Sequence, residues 1–211
     1  MTETLRIPTR SSDPADPFHL PASVRTHRFS EATAGGQPRL ETRFALWRDD
    51  AHLRILFRAS DEERVQATLH RRDDPLYNED VVEAFISLGD PARYIEIEVS
   101  PAGSIFDAWV HSPDGVRATM DVDSDWNCEG LFAATRRTKR TAGSWLWETA
   151  VGIPFASIGA DPQPGEVWTG NFYRIDRGID GQVEYSAWRP TMKQPADFHV
   201  VSAFGRLRFS D

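Results

Sequence analysis

The segment "VVEAFISL" (residues 81–88) decides the fold class, because it opens a series of segments that alternate apolar and polar side chains. The next two are "RYIEIEVS" (93–100) and "SIFDAWVH" (104–111), and the turn sequences "GDP" (89–91) and "PAG" (101–103) separate the three. Alternation with a period of two is typical of β-strands. The three segments therefore predict a meander of antiparallel strands.

The same pattern continues on both sides of this meander. Residues 41–47 and 52–59 flank a short polar loop and predict a hairpin. Five more candidate strands lie at 130–138, 145–151, 167–175, 183–188 and 204–209. "IPFASIG" (153–159) predicts one helical turn ended by Gly159. About ten short strands without a long helix indicate an all-β fold, a two-sheet antiparallel β-sandwich of jelly-roll or immunoglobulin-like size.

Length and charge limit the domain organisation and the partners. The chain has 211 residues, and we expect a flexible N-terminal arm at 1–20 followed by one sandwich domain at 21–211. Lys and Arg number 24 against 32 Asp and Glu, a net charge of −8. Such a charge repels nucleic acids and anionic membranes, so neither is an expected partner.

The compartment is predicted from the N-terminus and from cysteine usage. One cysteine, Cys128, allows no intramolecular disulfide. The first residues contain no apolar run of the length that a signal peptide needs, and no membrane-spanning apolar stretch follows. The sequence as given predicts a soluble cytoplasmic protein, a secreted or periplasmic one if a signal has been removed, and a monomer.

Sorting side chains by parity places acids and aromatics together in the meander. Val82, Ala84 and Ile86 share one strand face, which predicts a core-facing side. The opposite face is expected to display Glu83, Tyr94, Glu96, Glu98, Asp107, Trp109 and His111. That face is either the solvated side of an ordinary antiparallel sheet or a sugar-binding surface, because sugars rest on flat rings and need polar partners for their hydroxyls.

The ordered succession of several segments resembles the carbohydrate-binding module family 9-like domains, which are DOMON-like β-sandwiches. The matching pieces include "FALWRDDAHLRILFRASD" (44–61), "PLYNEDVVEAFISLGD" (75–90), "GEVWTGNFYRID" (165–176) and "EYSAWRPT" (184–191), and they end with "FHVVSAFGRLRF" (198–209). The resemblance implies a sandwich that is often calcium-bound. It also implies a slot in which two aromatic rings clamp a sugar at a chain end.

Matched motif by motif, the resemblance implies Tyr77 and Trp188 as the two rings. The ligand-binding set is completed by Glu79, Asp80, Glu83, Asn171 and Arg174 as hydroxyl partners, and by Trp109 from the acid-rich face. The chain departs from the family pattern in carrying Tyr where a sugar-clamping member has Trp. Ile95 also stands where an Arg is expected on the next strand.

Arg174 also has a structural interpretation. Within "GNFYRID", Asn171 and Tyr173 share one face and Arg174 and Asp176 the other. Arg174 could therefore form a structural salt bridge with Glu83 or with Glu148 instead of contacting a ligand.

A structural calcium ion is possible, because three loops are rich in carboxylates. These loops contain Asp49 and Asp50, then Asp61, Glu62 and Glu63, and then Asp121, Asp123 and Asp125. "DVDSDW" is not an EF-hand loop, because Trp126 and Phe132 stand where that motif needs Gly and Glu. The six His and one Cys form no zinc-binding spacing, so no metal site is assigned.

The sequence therefore predicts non-catalytic binding of a saccharide or polysaccharide. The alternative is a glycoside hydrolase, or an accessory domain of one, in which Glu83 would work with Glu96 or Asp107. A haem-binding redox domain is the third interpretation, with axial ligands drawn from Met120, Met192, His111 and His199.

Overall fold

Two β-sheets form the framework of the protein. The computed structural model describes residues 4–178 and 180–211. The first strands are β1 (Thr4–Pro8), β2 (Thr26–Arg28), β3 (Ser30–Glu31), β4 (Thr42–Arg48), β5 (His52–Asp61), β6 (Val81–Ser87) and β7 (Arg93–Val99). They are followed by β8 (Ile105–His111), β9 (Asp121–Asp123), β10 (Phe132–Thr141), β11 (Ser144–Pro154), β12 (Val167–Arg177), β13 (Val183–Ala187) and β14 (Gly205–Ser210).

The larger sheet has nine strands in the order β1-β14-β12-β6-β7-β8-β9, with β13 and β3 attached beside β12. The smaller sheet has five strands in the order β10-β11-β5-β4-β2. Neighbouring strands are antiparallel except for β1 and β14, which run parallel. The all-β sandwich predicted from alternation is confirmed, with fourteen strands and this one parallel pair.

The main core lies between the two sheets. Ile86 and Ile97 from the larger sheet meet Phe44 and Ile55 from the smaller one, and all four are buried. Because every second residue of each strand points into this layer, one apolar face per strand is enough to fill it.

All ten strands predicted from alternation are present, and each predicted end lies within three residues of the observed one. The hairpin of β4 and β5 pairs Arg48 with Leu53 at its closed end. A 3-10 turn, Ala156–Ile158, ends at Gly159, which has a φ of 65° and so a conformation that glycine adopts without strain. Within the described residues, no helix combines the length and apolar character needed to cross a membrane.

The interpretation of residues 1–20 as a flexible arm is wrong for Thr4–Pro8. This segment is β1, and Leu5 and Ile7 are buried in the main core. Further along, Phe18 and Leu20 pack against a small cluster on the outer side of the five-stranded sheet. The N-terminal segment is held in place because Leu5 and Ile7 are buried in the core and Phe18 and Leu20 are partly buried on the five-stranded sheet.

The predicted assignment of faces in the meander is wrong for β8. Ile95 pairs with Trp109 and Ile97 pairs with Asp107, so these side chains share the inner face. Phe106 and Ala108 therefore lie on the outer face, where they pair with Glu98 and Glu96. The error arose because both faces of β8 carry apolar residues, and parity alone cannot choose between them.

The outer face of the larger sheet is covered instead of solvated. Phe85, Tyr94 and Tyr173 on this face pack with Phe198 and Phe204 from the segment before β14. This second apolar cluster encloses the acids of the meander. Of the two alternatives for this face, the solvated side of an ordinary sheet is therefore wrong for β6 and β7.

Candidate functional site

A cavity of about 490 Å³ lies on the covered face of the larger sheet. Glu83, Glu96 and Glu98 lie at its floor. Their side chains are buried, although the cavity itself opens to the surface through the rim around Tyr77.

Strand register brings the three carboxyls together. Glu83 on β6 lies directly opposite Glu98 on β7, and Glu96 is two residues along the same strand. Oxygen atoms of the three carboxyls all lie within 4.8 Å of one another. Like charges placed opposite each other in a sheet are unfavourable, so this cluster costs stability unless something neutralises it.

Burial dominates the electrostatics of the three carboxyls. It raises the pKa of Glu96 to about 7, while the charge of nearby Arg117 acts in the opposite direction. Burial and the neighbouring carboxylates raise the pKa of Glu83 and of Glu98 well above the ordinary value. Without a cation or a donor, the cluster therefore retains protons near neutral pH.

The cover of the cavity is anchored by two tyrosines. The hydroxyl of Tyr173 donates to the carbonyl of Phe198 at 2.9 Å, and the two rings stack with centroids 4.2 Å apart. The hydroxyl of Tyr94 lies 2.7 Å from Nδ1 of His199. These bonds fix the segment around residue 198 over the strands and give the cavity a defined wall.

Aromatic and cationic side chains form the rim. Tyr77 is 49% exposed, and Tyr185 is partly exposed. Arg117 contacts Asp197 at 3.2 Å and extends along the cavity. Nη2 of Arg177 donates to the carbonyl of Tyr77 at 3.3 Å, while its buried Nε has no hydrogen-bond partner. The rim therefore offers ring faces and donors to a polar ligand.

Two of the predicted hydroxyl partners hold the chain beside the cavity. Glu79 accepts hydrogen bonds from the backbone N–H groups of Thr68 and Leu69. Asp80 accepts from the backbone N–H groups of Gln66 at 2.7 Å and Arg177 at 2.6 Å. Burial raises the pKa of Asp80 to about 6 despite these bonds. Neither residue lines the cavity, and both carboxylates hold the backbone, so a direct ligand role has no structural support.

Asn171 has a structural contact of the same kind. Its Oδ1 accepts from the backbone N–H of Arg189 at 3.0 Å, and its Nδ2 donates to the carbonyl of Arg189 at 2.8 Å. These two bonds fix the backbone that follows β13. Asn171 does not line the cavity.

Arg174 points into the sandwich interior, away from the cavity. It donates to the carbonyl of Ser60 at 2.7 Å and to Asp176 at 2.7 Å, and it contacts Asp61 at 3.3 Å. The salt-bridge interpretation is therefore correct, but its partners are neither Glu83 nor Glu148. A direct contact between Arg174 and a ligand in the cavity is excluded by this orientation.

Trp188 also lies in the interior. It is 6% exposed, and its ring lies 5.9 Å from that of Phe44 and 6.0 Å from that of Phe172. A Cβ added to Gly205 would come within 2.3 Å of the Trp188 ring. The implied clamp of Tyr77 and Trp188 is therefore wrong, because only Tyr77 lines the cavity.

Trp109 does not line the cavity and supplies no ring to it. It lies on the inner face near the edge of the larger sheet, with its centroid 5.6 Å from that of Trp126 and with Arg93 at 5.7 Å. Among the eight predicted site residues, the cavity thus brings together Tyr77 and Glu83.

Sequence reasoning missed several residues of the cavity. They are Arg117, Arg177, Tyr185, Phe198 and, as a wall residue, His199. Glu96 and Glu98 had been placed on the acid-rich face but not in the site. The missed residues come from loops and strand ends, whose approach to β6 depends on long-range packing that a local pattern does not encode.

The acidic loops proposed for calcium do not form a cluster among the described residues. Asp49 is bound by Arg54 at 2.6 Å, and Asp61 is paired with Arg174 and Arg137. Asp121 and Asp123 are exposed. The described residues that bring three acidic ligand atoms together are Glu83, Glu96 and Glu98.

The fold is shared with proteins of known structure. A candidate carbohydrate-binding protein from Bacteroides uniformis superimposes with a TM-score of 0.78, at 16% identity and full coverage of both chains. A family 9 carbohydrate-binding module from Caldicellulosiruptor kristjanssonii, solved with cellotriose, gives a TM-score of 0.63 at 12% identity, covering 99% of this chain and 94% of that one. The same organism's module solved with glucose gives 0.62 at 15%, covering 97% and 95%.

Sequence comparison supplies the family. The chain is 28% identical over 191 residues to a protein of Arthroderma benhamiae named as an extracellular protein, covering 86% of this chain and 84% of the relative. The family model described as carbohydrate-binding family 9 matches residues 31–209, most of the chain. This chain belongs to carbohydrate-binding family 9.

Proposed function

We propose that the protein binds a saccharide without catalysis, in the cavity above Glu83, Glu96 and Glu98. The observation that carries this proposal is the composition of the cavity of about 490 Å³. Carboxyl oxygens without hydrogen-bond partners lie at its floor, and aromatic rings and arginine donors lie at its rim. Sugar hydroxyls need both acceptors and donors, and sugar CH groups pack on rings. The modules of similar fold solved with glucose and with cellotriose support a glucose-type ligand.

A second cavity of similar size, about 500 Å³, lies under the N-terminal segment. Its carboxylates already have partners. Asp49 accepts from Arg54 at 2.6 Å and Ser12 at 2.9 Å, and Asp13 accepts from the backbone N–H of Ala15. These bonds hold the N-terminal segment in place, which makes this cavity the weaker candidate for a sugar.

Binding is favoured over hydrolysis by the burial of the acids. A glycosidase keeps one of its two catalytic carboxyls ionised. Here burial raises the pKa of all three groups, which favours the protonated form of each. We therefore expect no release of reducing sugar from cello-oligosaccharides.

We infer that the protein works outside the cytoplasm, on glycan chains that are being degraded. The relative named as an extracellular protein supports this location. A calcium requirement and a monomeric state remain predictions. Equilibrium sedimentation measures the molar mass in solution, which should be that of one chain.

Calorimetric titration of glucose and cellotriose tests the sugar site. Replacing Tyr77 by Ala removes a rim ring with little effect on packing, because half of the residue is exposed. We expect a loss of about 1–2 kcal/mol in affinity. The matched control is Met192→Ala, which removes an apolar side chain that is 60% exposed and lines neither of the two cavities. Equal affinities for the wild type and Tyr77→Ala would place the sugar elsewhere.

A further inference from the structure

The floor of the cavity contains acids that the protein itself leaves unpaired. Both carboxyl oxygens of Glu98 and Oε1 of Glu83 are buried without a hydrogen-bond partner of good geometry. None of Glu83, Glu96 and Glu98 forms an ion pair within residues 4–178 and 180–211.

Other buried acids of the protein form ion pairs with arginines. Glu148 is bound by Arg58 and Arg136, and Asp61 by Arg137 and Arg174. A buried carboxylate without a partner costs several kcal/mol, and a triplet without donors costs more. A cluster of acids alone does not indicate a ligand site. Here, however, Glu98 lines the cavity, is fully buried, and has no hydrogen-bond partner for either carboxyl oxygen.

We propose that Glu83, Glu96 and Glu98 together bind one divalent cation of the calcium class at the floor of the cavity. Three carboxylates form an oxygen-only ligand set, which hard cations prefer to the nitrogen and sulfur ligands of zinc. Oxygens within 4.8 Å of one another can surround a calcium ion at its usual distance of about 2.3–2.6 Å. The charge of the ion would compensate these three acids, which form no ion pair with the described residues.

The ion would retain open coordination positions toward the cavity. Calcium takes about 6–8 oxygen ligands, and three carboxylates supply at least three and at most six. The remaining positions face the space in which the sugar is proposed to bind. We expect two neighbouring hydroxyls of the sugar to fill them, so this part of the inference depends on the proposed function.

Calcium binding is measured first, without sugar. The full chain is treated with a chelator, exchanged into chelator-free buffer and titrated with calcium chloride by calorimetry. The wild type should bind one ion per chain, and Glu98→Gln should bind at least about tenfold more weakly. Glutamine has nearly the same shape and removes one unpaired charge, so we expect this variant to fold. The control is Asp123→Asn, an exposed acid on β9, which should bind as the wild type does.

Thermal unfolding gives a second readout. Calcium should raise the Tm of the wild type and of Asp123→Asn more than that of Glu98→Gln, because at a given calcium concentration an ion that binds the native state more tightly stabilises it more. No calcium binding by the wild type, or equal affinity in Glu98→Gln, would overturn the proposal.

Glucose is then titrated in excess calcium and in excess chelator. Weaker binding in chelator, by roughly tenfold or more, is the expected result. If the protein binds calcium but binds glucose equally well in calcium and in chelator, the proposal that sugar hydroxyls coordinate the ion is wrong. Failure to bind glucose in either condition would instead overturn the sugar proposal, and the calcium titration would still decide the cation site.

Discussion

Tyr77 and Trp188 lie on opposite faces of the nine-stranded sheet. Tyr77 borders the cavity on the outer face, whereas Trp188 packs between the sheets against Phe44 and Phe172. The sheet backbone separates the two rings, so no single sugar can contact both. The two residues should therefore respond differently to substitution, one through affinity and the other through stability.

Replacing Trp188 by Ala should reduce the free energy of unfolding by about 3–5 kcal/mol, because it leaves a large cavity in the core. Urea denaturation measures this loss. Trp109→Ala is the control, since that ring is partly exposed near the sheet edge and should cost less. A stable Trp188→Ala variant with weakened sugar binding would restore a ligand role for Trp188.

Replacing Arg174 by Ala should destabilise the protein by about 3–5 kcal/mol. The substitution leaves Asp61 and Asp176 buried with less compensating charge, and it frees the carbonyl of Ser60. Chemical denaturation provides the measurement, with exposed Arg140→Ala as control. A loss below about 1 kcal/mol would mean that the ion pairs of Arg174 with Asp61 and Asp176 contribute little to stability.

His199 should make stability depend on pH. Its burial, assisted by the charge of Arg117, lowers its pKa to about 4 from 6.5, so the folded state keeps the ring neutral. As pH falls from 6.5 toward 4, the unfolded chain binds a proton that the folded chain does not, and stability decreases. The wild type should lose up to about 3 kcal/mol over this interval from this group.

The contribution of His199 is isolated by comparison with His199→Asn, whose Oδ1 can still accept from Tyr94. Unfolding free energies of both proteins are measured from pH 7 to pH 4. The stability difference between wild type and variant should shrink by about 3 kcal/mol as pH falls. A constant difference would show that His199 titrates normally in the folded state.

Replacing Ile7 by Ala should cost about 2–4 kcal/mol, because its side chain is buried in the main core. Arg6→Ala is the matched control, since Arg6 is the exposed neighbour on β1. Equal and small effects of the two substitutions would indicate that the N-terminal segment is detached in solution.

Alternation predicted ten of the strands because most of them carry an apolar face. The missed strands β2, β3 and β9 have two or three residues, which is too short for a period to be visible. β1 did carry a signal in the alternation of Leu5 and Ile7. The Pro- and Ser-rich stretch that follows led to its interpretation as part of an arm.

The candidate site was less predictable than the fold. Glu83 was identified because a charged residue inside an apolar strand is unusual. The remaining implied ligands, Glu79, Asp80, Asn171 and Arg174, are buried polar groups as well, but each is bonded to the protein itself. Whether a buried polar group faces its own backbone or a cavity is set by long-range contacts, which the sequence pattern does not contain.

The close approach of Gly205 to the Trp188 indole links two positions that are far apart in the chain. A β-carbon at position 205 would come within 2.3 Å of the ring, so the ring would have to move or become smaller. Relatives with any larger residue at 205 are therefore expected to carry a smaller residue at 188. Paired substitution at these two positions across the family would identify this contact by covariation.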